Sequence, residues 1–164
     1  CTMANEGSLP MTTPLTKMHH CDFVFVRCMD FRQTHDGAIR DFVASRFPRQ
    51  ECDLVSLAGA VRILTEGKNA KPILDSIGIG LKAHGARTVV LMNHTNCGYY
   101  AASGITFKSA ADEEEVLTTD LRCARKVVLN KFHTAHPNVK VLMFLAVLSD
   151  KDDTIDFRQI DVND

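Results

Sequence analysis

The chain has 164 residues, enough for one domain with a sizeable core. Hydrophobic residues make up 45% and charged residues 24%, an ordinary globular balance. Lysine and arginine total 19 against 20 acids, so the net charge is −1, which argues against a nucleic-acid partner or an anionic membrane surface.

The longest apolar run, "VKVLMFLAVL", is too short to span a bilayer and carries Lys140. No signal peptide is read at the start, so a cytoplasmic location is expected. Six cysteines sit at positions 1, 21, 28, 52, 97 and 123, beside seven histidines. An even count allows disulfides. A chain that can fold on its own core, with no secretory segment, favours reduced thiols or metal ligands.

Residues 1–20 are polar, with Pro10 and Pro14, and read as an N-terminal tail or arm; the domain runs over 21–164. "DFVFVRC" (22–28) is the first strand. If its alternation continues, Cys28, Asp30 and Arg32 point to one side at its C-terminal end. "DGAIRDFVASRF" (36–47) spaces Ile39, Phe42, Val43 and Phe47 as a helix. "CDLVSL" (52–57) is the second strand, ending in "AGA". Over 69–86, Ile73, Leu74, Ile77 and Leu81 form one stripe of a helix, with Pro72 in its first turn and Gly85 at its C-cap. "RTVVLMNH" (87–94) is the third strand. The stretch from Tyr99 reads mostly as loop with room for a short helix. Residues 112–136 form a long amphipathic helix, its acids early and its basic residues late, as the helix dipole favours; "EEE" is read in that way and not as an acidic binding site. "VKVLMFLAVL" (139–148) is the fourth strand, and the alternating "TIDFRQID" (154–161) pairs at the sheet edge.

This alternation implies a single α/β domain with a mostly parallel central β-sheet, helices on both faces, and an antiparallel edge strand near the C-terminus. Such sheets place ligands beyond the carboxyl ends of their strands. "HTNCG" (94–98) closes the third strand with H-x-x-C. Together with Cys28 it supplies two sulfurs and one imidazole, a zinc-ligand set that leaves a coordination position open. Cys52 and Cys123 are candidates for a fourth ligand, but neither closes a strand. The bland alternative is three unrelated core residues, cysteine being among the most buried types. Two such motifs, each closing an apolar strand of one sheet, favour the site.

"CMDFR", "LAGA" and "HTNCG", in that order, resemble the β-class carbonic anhydrases, and the resemblance runs from about Phe23 to the final hairpin. It implies one zinc per chain, held by Cys28, His94 and Cys97. It implies that Asp30 and Arg32 form the catalytic dyad: Asp30 accepts a hydrogen bond from the zinc-bound water or swings in as a fourth ligand, and Arg32 holds it off the metal. The implied activity is reversible hydration of carbon dioxide to bicarbonate by a zinc-bound hydroxide. The implied assembly is a homodimer or higher homo-oligomer whose interface walls the site, with "YYAASGITF" and the tail 1–20 placed there. Gly59 is a candidate substrate-binding residue, its missing side chain letting backbone come close; a tight strand-to-loop turn explains it equally. Tyr99 and Tyr100 are candidates for the pocket, the interface or plain packing. His35 is considered as a proton relay, although a lone histidine near a loop is more often simply exposed.

Phe31 stands where the family usually has serine, and Ser56-Leu57 where arginine and asparagine are common. Two alternatives keep the same ligand set: hydrolysis of carbon disulfide or carbonyl sulfide, and a non-catalytic zinc-binding protein with Phe31 crowding the pocket. A cysteine phosphatase is set aside because "CGYYAASG" has no arginine to hold phosphate. A dinucleotide site is set aside because "GIG" (78–80) lies inside a helix.

Overall fold

The computed structural model describes residues 19–162, so the expected tail falls outside the described residues except for His19 and His20. Its five strands are β1 (Phe23–Arg27), β2 (Cys52–Ser56), β3 (Thr88–His94), β4 (Lys140–Ser149) and β5 (Thr154–Ile160). They form one sheet in the order β2-β1-β3-β4-β5. The first four run parallel, in register Phe23↔Cys52, Phe23↔Thr88 and Thr88↔Lys140. β5 returns antiparallel to β4, with Met143 opposite Ile160. This is the expected α/β sheet with an antiparallel edge.

Helices α1 (Ala38–Arg46), α2 (Ala60–Leu64), α3 (Lys71–Ala83), α4 (Gly98–Ala102) and α5 (Ala110–Phe132) complete the domain. Strand alternation sorts the core into two layers. Val24, Val26, Val89 and Leu91 pack with Leu64, Ile77, Leu117 and Val128, from α2, α3 and α5. Phe23, Phe25, Val90 and Phe144 face the other way, against Phe42 and Val43 of α1 and Phe157 of β5. That second layer is aromatic: Phe23 and Phe47 have ring centroids 4.6 Å apart, and Phe42 meets Phe144 edge-on at 5.1 Å. Each such ring removed from water contributes about 1.5–3 kcal/mol before entropy is counted.

The helix ends follow their sequence signals. Ser109 caps α5 by accepting from the Asp112 N–H at 3.1 Å, and Asp112 and Glu113 lie in its first turn. Pro72 opens α3, and Gly85 beyond its end sits at φ +72°. α2 is an addition to the sequence reading, since five residues are too few to show a helical period. Among the described residues no helix is long and apolar enough to cross a membrane, and the five cysteines are all free.

Candidate metal centre

Strand β1 ends at Arg27, one residue before the expected thiol. The alternation proposed for Cys28, Asp30 and Arg32 therefore does not continue. Instead Asp30 caps a 3₁₀ turn over Phe31–Gln33, accepting from the Arg32 N–H at 3.0 Å. A turn gathers the carboxylate and the guanidinium, where a strand was expected to do so.

From the neighbouring strand, His94 closes β3 and Cys97 lies just before α4. The ligand atoms of Cys28, His94 and Cys97 all lie within 4.8 Å of one another, and all three residues are buried. The two Sγ atoms are 3.8 Å apart. Thiolates at 2.3 Å on a tetrahedral zinc ion would stand about 3.8 Å apart. The His94 ring is fixed by Nδ1, which lies 2.9 Å from the Thr95 carbonyl and donates to it. That tautomer leaves Nε2 with a bare lone pair, buried and without a hydrogen-bond partner among the described residues. Thr95 is held in turn by β4: its N–H donates to Ala146 at 3.0 Å, and its hydroxyl accepts from the Leu148 N–H at 2.9 Å.

With no cation present the two thiols would share their protons unequally. The Cys97 thiol, hydrogen-bonded to the Cys28 sulfur, pushes Cys28 well below the usual thiol range against the opposing effect of burial. Cys97, keeping the proton and also buried, is pushed up. A buried thiolate beside an orphaned imidazole nitrogen is costly unless a cation joins them. The donor set, its spacing and the bare nitrogen fit zinc.

Asp30 stands at the edge of this cluster, Oδ2 lying 3.9 Å from His94 Nε2. Arg32 grips it in a fork, Nε to Oδ1 at 3.0 Å and Nη2 to Oδ2 at 2.6 Å. The guanidinium holds the carboxyl below the usual carboxylate range. Arg32 Nη2 also donates to the Asn96 carbonyl at 2.8 Å, tying the Asp30 turn to the H-x-x-C loop. Asn96 sits at φ +56°, and its N–H donates to Glu113 at 2.6 Å. One of the three acids read as a dipole complement thus also pins the site loop.

Gly59 adopts φ +62° and directs its N–H to Cys28 Sγ at 3.5 Å. A Cβ there would lie 2.2 Å from Tyr99 Cγ, so its close approach is to the Tyr99 ring. Tyr100 is fully buried. Its hydroxyl donates to Asp120 at 2.7 Å and accepts from Asn93 at 2.8 Å; Asp120 accepts from Arg62 at 3.0 Å. This buried network behind the site is absent from the sequence reading. Tyr99, Ile105 and Phe107 pack against the same core. Of "YYAASGITF", expected at an interface for want of a core position, Tyr99, Tyr100, Ile105 and Phe107 pack on the core, while residues 101–104 and Thr106 stay exposed.

Gln33 is a further residue the sequence reading passes over: it is buried, with both amide atoms unpartnered among the described residues. Cys52 lies in β2 and Cys123 is exposed on α5; neither joins the three. Phe31 is 75% exposed. With Arg32, His35 and Leu148 it lines an outer cavity of about 530 Å³. His35 is exposed and faces Asp36 at 3.4 Å.

A family model described as "Putative carbonic anhydrase" matches residues 18–142. An uncharacterized protein of Rickettsia bellii (strain RML369-C) is 29% identical over 139 residues, covering 80% of this chain and 79% of its own. Among solved structures, the β-carbonic anhydrase isoform I of Trichomonas vaginalis superposes with a TM-score of 0.54 at 20% identity, over 92% of this chain and 88% of that one. One of two tetrameric β-carbonic anhydrases of Sordaria macrospora superposes at 0.52 with 10% identity, over 88% and 84%. At such identities the likeness is one of fold.

Proposed function

We propose, from the premise that the chain belongs to the family described as "Putative carbonic anhydrase", that it catalyses the reversible hydration of carbon dioxide to bicarbonate. The observation that carries this reading is one cluster: Cys28, His94 and Cys97 converging, with Asp30 held beside them in the fork of Arg32. Cys28 Sγ, His94 Nε2 and Cys97 Sγ would hold the ion. Zinc supplies Lewis acidity, which brings the ionisation of a water into the neutral range.

The chain's own residues do the rest. Asp30 accepts a hydrogen bond from the attacking water and turns its lone pair toward the carbon of carbon dioxide. Arg32 keeps Asp30 ionised and, through its second bond to Asn96, keeps it from rotating. Thr95 keeps the His94 proton on Nδ1, so that Nε2 stays a donor of electrons. The water's proton passes to buffer. Gly59 spaces Cys28 from the Tyr99 ring.

The exposure of Phe31 favours catalysis over the non-catalytic alternative, because its ring faces solvent and the outer cavity. Met29 and Phe31, two exposed apolar side chains flanking Asp30, support an active unit of at least two copies in which a second chain covers them. The test is a carbon dioxide hydration assay on zinc-loaded protein, run beside carbon disulfide and carbonyl sulfide. Hydration that depends on Cys97 and Asp30 supports the reading. Turnover of the sulfur substrates alone, or of none, overturns it.

A further inference from the structure

A second group of metal-ligand types lies at the other end of the sheet. Cys21, just before β1, Asp53 in β2 and His84 at the end of α3 bring a thiol, a carboxylate and an imidazole within 4.8 Å of one another. The candidate centre described above lies beyond the C-terminal ends of the strands; this group lies at their N-terminal ends.

The main chain fixes each of its members. The Cys21 N–H donates to the His84 carbonyl at 3.0 Å. The Asp22 N–H donates to Glu51 at 2.8 Å, and the Glu51 N–H donates back to the Asp22 carboxylate at 2.9 Å. Gly80 lets α3 settle onto the sheet: a Cβ there would lie 2.4 Å from Val24 Cγ2 and 2.9 Å from Asp53 Oδ2. α3 then closes with an Ala86 N–H to Gly80 bond of 3.1 Å, which sets His84 over Asp53.

His84 Nδ1 and Asp53 Oδ2 are 2.7 Å apart. A helix-to-strand ion pair accounts for those two residues. The third member, the Cys21 thiol, is 5% exposed at the edge of the core and lies against the same Asp53 carboxylate. A cation would bind all three donors at once. The C-terminal end of α3 carries partial negative charge, which favours a cation there. Sulfur, nitrogen and oxygen together suit a borderline ion of the zinc class and not magnesium or calcium, which take oxygen. His19 and His20 line the same cavity, of about 240 Å³, and offer a fourth donor.

We propose that Cys21, Asp53 and His84 form a second metal site that takes a divalent ion of the zinc class. On binding, the ion displaces the proton between His84 and Asp53 and the proton on Cys21. The His84–Asp53 pair opens to about 3.4 Å, the span of two tetrahedral ligands. This inference does not depend on the reaction proposed above.

The experiment is elemental analysis of the full chain dialysed against buffered zinc. Wild type holds two ions per chain. Cys21→Ser and His84→Ala each lower the count to one, as does Cys28→Ser, and Cys21→Ser with Cys28→Ser leaves none. A count unaffected by Cys21→Ser and by His84→Ala overturns the proposal. A single ion in wild type, lost in Cys21→Ser and kept in Cys28→Ser, upholds this site and sinks the other. A single ion lost only in Cys28→Ser does the reverse. Circular dichroism of the metal-free variants reports folding. Asp53→Asn, which keeps shape and loses charge, is the second variant should Cys21→Ser fail to fold, and it too must lower the count by one.

Discussion

Arg32 holds Asp30 by two side-chain donors and its own amide, with Nε 3.0 Å from Oδ1 and 3.3 Å from Oδ2, Nη2 2.6 Å from Oδ2 and the amide 3.0 Å from Oδ1. Three donors on one carboxylate leave it ionised and unable to rotate. Asp30→Asn keeps the shape but turns an acceptor into a partial donor. Its expected effect is a loss of about 10- to 100-fold in carbon dioxide hydration, with zinc content unchanged. Stopped-flow hydration with elemental analysis measures both. A wild-type rate would remove Asp30 from the mechanism.

Arg32→Ala should lower activity by a similar factor for a different reason, because it frees the carboxylate to move toward the cluster. Arg32→Lys restores charge but not the fork, and is expected to recover little of the activity. Full recovery by lysine would mean that charge alone matters at this position.

Cys97→Ser should lose the ion held with Cys28 and His94. Chelation should lower the Tm by about 5–10 °C more in wild type than in Cys97→Ser, given an ion present at roughly a hundred times its Kd and a chain of this size. Differential scanning calorimetry with and without chelator checks this. No difference between the two would mean that the cluster contributes nothing to holding the fold.

Gly59→Ala places a methyl group against Tyr99 at a positive φ. A loss of about 1–3 kcal/mol is expected from urea unfolding. In a Tyr99→Ala background the loss should shrink, because the clash has gone and only backbone strain remains. Equal losses in both backgrounds would show that the ring is not the constraint.

Tyr100→Phe removes the hydroxyl shared by Asn93 and Asp120 and leaves a buried carboxylate and amide short of a partner. The expected cost is about 1–3 kcal/mol of stability. Activity should fall less than in Asp30→Asn. A stability unchanged within error would mean that the network is not coupled to folding.

The parts of this fold that could be read early were those written in local patterns. The run 23–27 is buried at every position and reads as a strand; Ile73, Ile77 and Leu81 read as a helix stripe. Because His94 closes a strand of a parallel sheet and Cys97 follows it in the next loop, topology alone brings them toward Cys28. The Asp30 turn was not legible, since alternation continues on paper past the point where β1 ends. Asp120 was hidden in another way. On a helix rich in charged residues it looks like one more solvated acid, and its partners Arg62 and Tyr100 lie 58 and 20 residues away. Glu113 has the same double character, complementing a helix dipole and pinning Asn96. Cys21, Asp53 and His84 were invisible for a simpler reason: no spacing motif joins residues from three separate elements.

The grip of β4 on Thr95 sets an order in time. The Thr95 amide and hydroxyl bind Ala146 and Leu148, more than fifty residues downstream. During synthesis, β1, β2 and the H-x-x-C loop leave the ribosome well before those partners exist. A nascent chain that ends at residue 142, where the family match stops, carries every candidate ligand of both clusters and lacks the residues that hold Thr95. The upstream cysteines are therefore exposed to metals and oxidants before the loop between His94 and Cys97 has its final shape. An ion taken up by Cys28, His94 and Cys97 would meet a fixed Thr95 only once β4 has joined the sheet.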